Sequence, residues 1–175
     1  MNQNQKVKTI KIVLLLLAAV LFYALLSPGI GEVVASFLLF SAVLITGLVG
    51  SIIVGILVPV LAGLFNLLSP ELSEVMLYLV IGNILLVTSY YYINKIIFDK
   101  KSLLAVFMGF FIAAILRAIP VTIYAYNLEE ISQEMRNALG FPQFFSALLG
   151  GVIFFFLFII LRKLDMLSKF RAKSG

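Results

Sequence analysis

Residues 33–68, VVASFLLFSAVLITGLVGSIIVGILVPVLAGLFNLL, contain no charged side chain. As one helix, at ~1.5 Å per residue, this run would be far longer than the ~30 Å hydrocarbon core of a bilayer. It must fold back on itself. Gly47-Leu48-Val49-Gly50 is the natural corner, which predicts helices over 33–48 and 51–68. Working outward, an apolar segment over 12–26 stops at Ser27-Pro28-Gly29. A fourth runs over about 73–97, with Pro70 suited to a first helical turn. A fifth covers 102–126, and a sixth begins at Phe141-Pro142 and covers 141–164. The expected fold is an all-α integral membrane protein, a single transmembrane domain over 1–175 built as a six-transmembrane-helix bundle.

Composition agrees. The chain of 175 residues is 63% hydrophobic and only 12% charged, against roughly 25% charged residues in a soluble domain. Too little charge remains to cover a water-facing surface, so the expected solvent is lipid. Cysteine and histidine are both absent. That excludes disulfides, thiolate chemistry and imidazole metal sites, and a nucleophilic triad lacks its histidine. No P-loop is present. The sequence therefore offers no catalytic residues, no metal site and no resident cofactor.

The net charge of +5 matters through its distribution. Lys6, Lys8 and Lys11 precede the first segment, Lys95, Lys100 and Lys101 lie between the fourth and fifth, and Arg162, Lys163, Lys169, Arg171 and Lys173 follow the sixth. The opposite side has Glu32, Glu71, Glu74, Glu129, Glu130 and Glu134, with Arg136 its one basic residue. The positive-inside rule places both termini in the cytoplasm, as an even number of spans requires. Because the basic residues flank spans, the high isoelectric point does not indicate nucleic acid. Lys6 to Leu26 has the outline of a signal peptide, but no A-x-A site follows and Pro28 is poorly placed for cleavage, so a retained span is expected.

Arg117 is the most informative residue. It lies in the fifth segment about nine residues from the outer end, roughly 14 Å deep. A guanidinium there costs at least ~2.5–3.5 kcal/mol on insertion scales, so it should face protein or a polar cavity. With no Asp or Glu expected inside a span, one reading pairs Arg117 with a ligand carboxylate or phosphate. The other has it bonding helix-end carbonyls or snorkelling outward. Asn83, Val87, Tyr90 and Asn94 fall on one face of the fourth helix, and Asn83 reaches the depth of Arg117. Tyr124 lies on the Arg117 face nearer the outside. Gln143 opens the sixth helix with Ser146 and Gly150 below it, and Asn66 ends the third on the same side. Each alone is explained by interhelical hydrogen bonding, but their shared depth and side suggest an outward-open pocket. Leu128, Ile131, Met135 and Leu139 recur at helical spacing and predict an amphipathic external segment over 128–139 that either caps the pocket or lies passively at the interface.

Two stretches resemble the substrate-binding (S) components of energy-coupling factor (ECF) importers. Residues 47–71, GLVGSIIVGILVPVLAGLFNLLSPE, are similar to the family's glycine-punctuated second turn and third helix. Residues 140–164, GFPQFFSALLGGVIFFFLFIILRKL, are similar to its last helix. The resemblance implies a protein of the prokaryotic cell membrane that binds a vitamin-like micronutrient from outside. It implies docking on a membrane coupling protein with two cytoplasmic ATPase subunits, which supply the energy. It also implies a site in the outer half, onto which Asn83, Arg117, Tyr124 and Gln143 map. The first helix has Ala18, Ala19 and Ala24 but not the family's A-x-x-x-A spacing. The absence of histidine disfavours the cobalt and nickel carriers. Arg117 favours a carboxylate-bearing substrate such as biotin, pantothenate or nicotinate, and Tyr78, Tyr90, Tyr124 and Tyr126 could stack on an aromatic one. The competing expectation is a non-transport membrane subunit, assembly or regulatory, in which Arg117 serves a protein partner.

Overall fold

The computed structural model describes residues 3–97, 103–127 and 139–163. These residues form helices α1 (Gln3–Leu25), α2 (Pro28–Leu64), α3 (Pro70–Glu74), α4 (Met76–Tyr92), α5 (Leu103–Asn127) and α6 (Phe141–Lys163), with a π-helical turn over Ile93–Ile97 after α4. No strand occurs among them. Five of the helices are long and apolar enough to cross a membrane. The chain is an all-α, multi-pass membrane protein.

Helix α2 is central: α1, α4 and α6 all pack against it, while α5 fits between α4 and α6. Its start differs from the expected boundary. Ser27 takes an extended N-cap conformation and Pro28 occupies the first turn, where its missing N–H costs nothing. The helix therefore begins five residues before the expected Val33 and takes Glu32 into its second turn. Gly47, with φ 71 and ψ −173, interrupts it. That backbone region is essentially restricted to glycine, so the break is a single residue at one end of the expected four-residue corner. We refer to the two parts as the first arm (28–46) and the second arm (48–64).

The other departures are local. The fourth segment does not run unbroken: Val75 (φ −100, ψ 16) separates α3 from α4. The first helix starts well before residue 12, at Gln3, and α2 ends at Leu64, with Asn66 in the turn that follows. Of the expected amphipathic segment, residues 128–138 lie outside the described residues.

Helix α1 buries only the stripe Leu15, Ala19 and Tyr23, one residue per turn. Ile12, Leu16 and Ala18 are partly buried beside that stripe, while Leu14, Leu17, Leu21 and Leu25 on the other side are exposed, as suits a helix bathed in acyl chains. Elsewhere small residues set the helix separation. A Cβ on Gly82 would lie 2.5 Å from the Arg117 carbonyl oxygen, and one on Gly150 would lie 2.6 Å from that of Val33. Such contacts let backbones approach where no hydrophobic force drives helices together. Hydroxyls in α2 are satisfied locally: Ser36, Ser41 and Thr46 each donate to the carbonyl four residues earlier. This is the usual way for such side chains to sit in lipid-embedded helices.

Candidate functional site

The polar centre is built on the first turns of α2. Glu32 is 4% exposed and Arg117 2%. Arg117 donates through Nη2 to Glu32 Oε2 at 2.5 Å and through Nη1 to Ser36 Oγ. Ser36 in turn donates to the Glu32 carbonyl at 2.7 Å, and the Tyr23 hydroxyl donates to Glu32 Oε1 at 2.5 Å. The network ties α1, α2 and α5 together at one level. Both carboxylate oxygens and both terminal guanidinium nitrogens are thereby occupied, which is what a buried ion pair needs to offset its desolvation.

This corrects one expectation. Arg117 was to have no carboxylate within a span, because Glu32 was placed in an external turn. The Pro28 helix start draws Glu32 inside instead, and it becomes the counter-ion. Two further members of the network, Tyr23 and Ser36, were not singled out in the sequence.

The other expected residues divide by environment. Asn83 is buried in α4 and donates Nδ2 to the Gly55 carbonyl in the second arm of α2 at 3.1 Å. That bond fixes the amide orientation and leaves Oδ1 as an acceptor. Its neighbour Gly82 lies against Arg117, so Asn83 and Arg117 do share a level. Gln143 and Ser146 are buried on α6, with Ser146 donating to the Gln143 carbonyl at 3.1 Å. Gly150, two turns on from Gln143, rests on Ser36, so this face of α6 runs along the first arm of α2. Tyr124 is half-buried and stacks on Tyr78, ring centroids 4.3 Å apart. Tyr90 belongs elsewhere. Its ring sits edge-on to Phe40 at 5.0 Å and to Phe154 at 5.7 Å, in an aromatic layer about 10 Å along α4 from Asn83. Phe110 joins that layer through Phe40. Asn66 is exposed in the turn after α2, with φ 54, and is not brought to the polar centre.

Three buried side-chain atoms have no hydrogen-bond partner among the described residues: Asn83 Oδ1, Arg117 Nε and Gln143 Oε1. Orphaned buried polar atoms are uncommon in folded proteins, and these three belong to α4, α5 and α6. A separate groove of about 680 Å³ lies between α5 and α6, lined by residues such as Ile119, Ile123, Tyr126 and Phe141. Those four are exposed. Of the residues expected near a solute the groove carries Tyr126 alone, and it is a feature of the apolar flank. No group of metal-ligating side chains occurs among the described residues.

No protein-family model, curated protein or solved structure matches this chain.

Proposed function

We propose that this protein is a membrane-embedded binding subunit for uptake of a small, vitamin-like micronutrient across a prokaryotic cell membrane. In this reading it works as an S component: it captures the solute from outside and hands it on through a partner coupling protein and two cytoplasmic ATPase subunits. The observation that carries the reading is the coincidence, at one level of the bundle, of a charge-balanced ion pair and two unpartnered polar atoms, Asn83 Oδ1 on α4 and Arg117 Nε on α5. Unsatisfied donors and acceptors in a dry interior are costly unless something pairs with them, and a polar solute would.

The six-span arrangement is part of the proposal. In an unbroken helix Ser36 and Gly55 would stand about 28 Å apart. Yet Ser36 touches the Arg117 guanidinium, while Gly55 touches Asn83, whose neighbour Gly82 abuts the Arg117 backbone. That supports a hairpin at Gly47, with the arms of α2 running in opposite senses. Six crossings then follow, and the basic residues in the first turns of α1 and in the last turn of α6 favour both termini in the cytoplasm.

The test is mass spectrometry of small molecules released from protein purified in mild detergent, with Arg117→Ala alongside. A stoichiometric metabolite present in the wild type and lost in the variant is the expected result. An empty wild type that co-purifies instead with a larger membrane assembly favours the second reading, a non-transport subunit. The observation behind that alternative is the charge-balanced Arg117–Glu32 pair itself, which gives the arginine a structural task.

A further inference from the structure

The ion pair also bears on what kind of solute could sit here; this inference rests on the binding reading above. An arginine with no counter-ion would call for an anion. In this structure Nη1 and Nη2 of Arg117 are already committed to Ser36 and Glu32, and the guanidinium charge is balanced by a carboxylate that Tyr23 holds in place. Among the described residues, the titratable or charged groups bonded to Glu32 are Tyr23 from α1 and Arg117 from α5. A carboxylate arriving at this level would meet no uncompensated cation and would stand beside a fixed anion of its own sign. Like charges placed together without water oppose binding strongly.

What remains without a partner at this level is an N–H donor, Arg117 Nε, and a carbonyl acceptor, Asn83 Oδ1; Gln143 Oε1, also unpartnered, lies about two helical turns along α6 from the residue that rests on Ser36. The donor and acceptor at this level complement a molecule offering an N–H or O–H group and one acceptor, such as a hydroxylated or amide-bearing heterocycle. The Tyr78–Tyr124 stack lies further along α4 and α5, about 10 Å along α5 from Arg117. We propose that Glu32 is a specificity-determining residue: by neutralising Arg117 it restricts the site to a solute without net charge. Discrimination against the corresponding carboxylate is then on the order of a hundredfold or more.

The experiment compares full-length wild type with Glu32→Gln, which keeps an oxygen for Tyr23 but removes the counter-charge. Small molecules released from each are identified by mass spectrometry, and melting temperature is measured with acetate and with nicotinate as carboxylate probes. The expected result has two parts. Wild type carries a solute with no net charge at neutral pH and is unmoved by either probe. Glu32→Gln gains a saturable rise in melting temperature with both, and Arg117→Ala introduced into that variant abolishes it. A stoichiometric anion in the wild type overturns the charge inference and leaves the binding reading standing. Glu32→Gln that folds but ignores both carboxylates also overturns it, because Arg117 is then sealed from solutes. A wild type empty of any solute removes the binding reading and this inference with it. The wild-type arm decides the charge class even if Glu32→Gln does not fold.

Discussion

Replacing either member of the Glu32–Arg117 pair with leucine should be far more damaging than replacing both. Each side chain is almost fully buried, and their closest atoms are 2.5 Å apart. Removing one leaves the other charge uncompensated, at a cost of about 3–5 kcal/mol. Glu32→Leu also strips the Tyr23 hydroxyl of its acceptor, adding about 1–3 kcal/mol. Arg117→Leu leaves Tyr23 and Ser36 with their own hydrogen bonds, so its cost should stay within the first range. The double replacement exchanges an ion pair for apolar volume, a change that is often close to neutral, and keeps only the about 1–3 kcal/mol cost of the stranded Tyr23 hydroxyl. Its cost should therefore fall short of the sum of the single costs by about 3 kcal/mol or more. Equilibrium unfolding in mixed micelles, with sodium dodecyl sulfate titrated into dodecyl maltoside and helicity followed by circular dichroism, would measure all three variants. Single costs that add to the double within ~0.5 kcal/mol would mean the two residues do not interact, and the account of the polar centre would fail.

Three further outcomes follow from the backbone and the topology. Gly150→Ala puts a methyl 2.6 Å from the Val33 carbonyl oxygen and 2.7 Å from the Phe37 nitrogen; because both are backbone atoms, α6 must move off α2, and the melting temperature should fall by several degrees, whereas Gly29→Ala, with nothing within 4 Å, should change little. Gly47→Ala forces a side chain into a glycine-only conformation and should cost about 1–3 kcal/mol in the same micelle titration. Reporter fusions to either terminus should read as cytoplasmic, and an external carboxyl terminus would refute the hairpin at Gly47.

Much of the architecture was legible because lipid solvation leaves a coarse signature. Long uncharged runs mark helices, and a run too long for one crossing marks a bend. Gly47 was readable as part of that bend because glycine alone tolerates the backbone required. Glu32 was misplaced for an instructive reason. Pro70 signals the first turn of the fourth segment, whereas Ser27-Pro28-Gly29 has the composition of a turn that ends the first. The same physics applies to Pro28, and with it Glu32 and Ser36 fall four residues apart on one helical face. Tyr23, nine residues before Glu32, joins them only through the fold. The interruption at Val75 and the π-helical turn over Ile93–Ile97 carry neither a glycine nor a proline at the break, so no local rule announces them. Tyr90 illustrates the opposite limit: its place on the buried face of α4 follows from spacing, but its aromatic neighbours, Phe40 and Phe154, come from two other segments of the chain.

That aromatic layer is mechanically coupled. Phe40 braces Tyr90, Phe110 and Phe154, and Tyr90 braces Phe154 in turn, so no one ring can swing aside without unseating others. On the binding reading proposed above, a solute held at the Arg117 level would meet this layer as a floor, a cul-de-sac rather than a corridor. Its onward journey would then require whole helices to part or the body to reorient, because rotating one side chain would open no door.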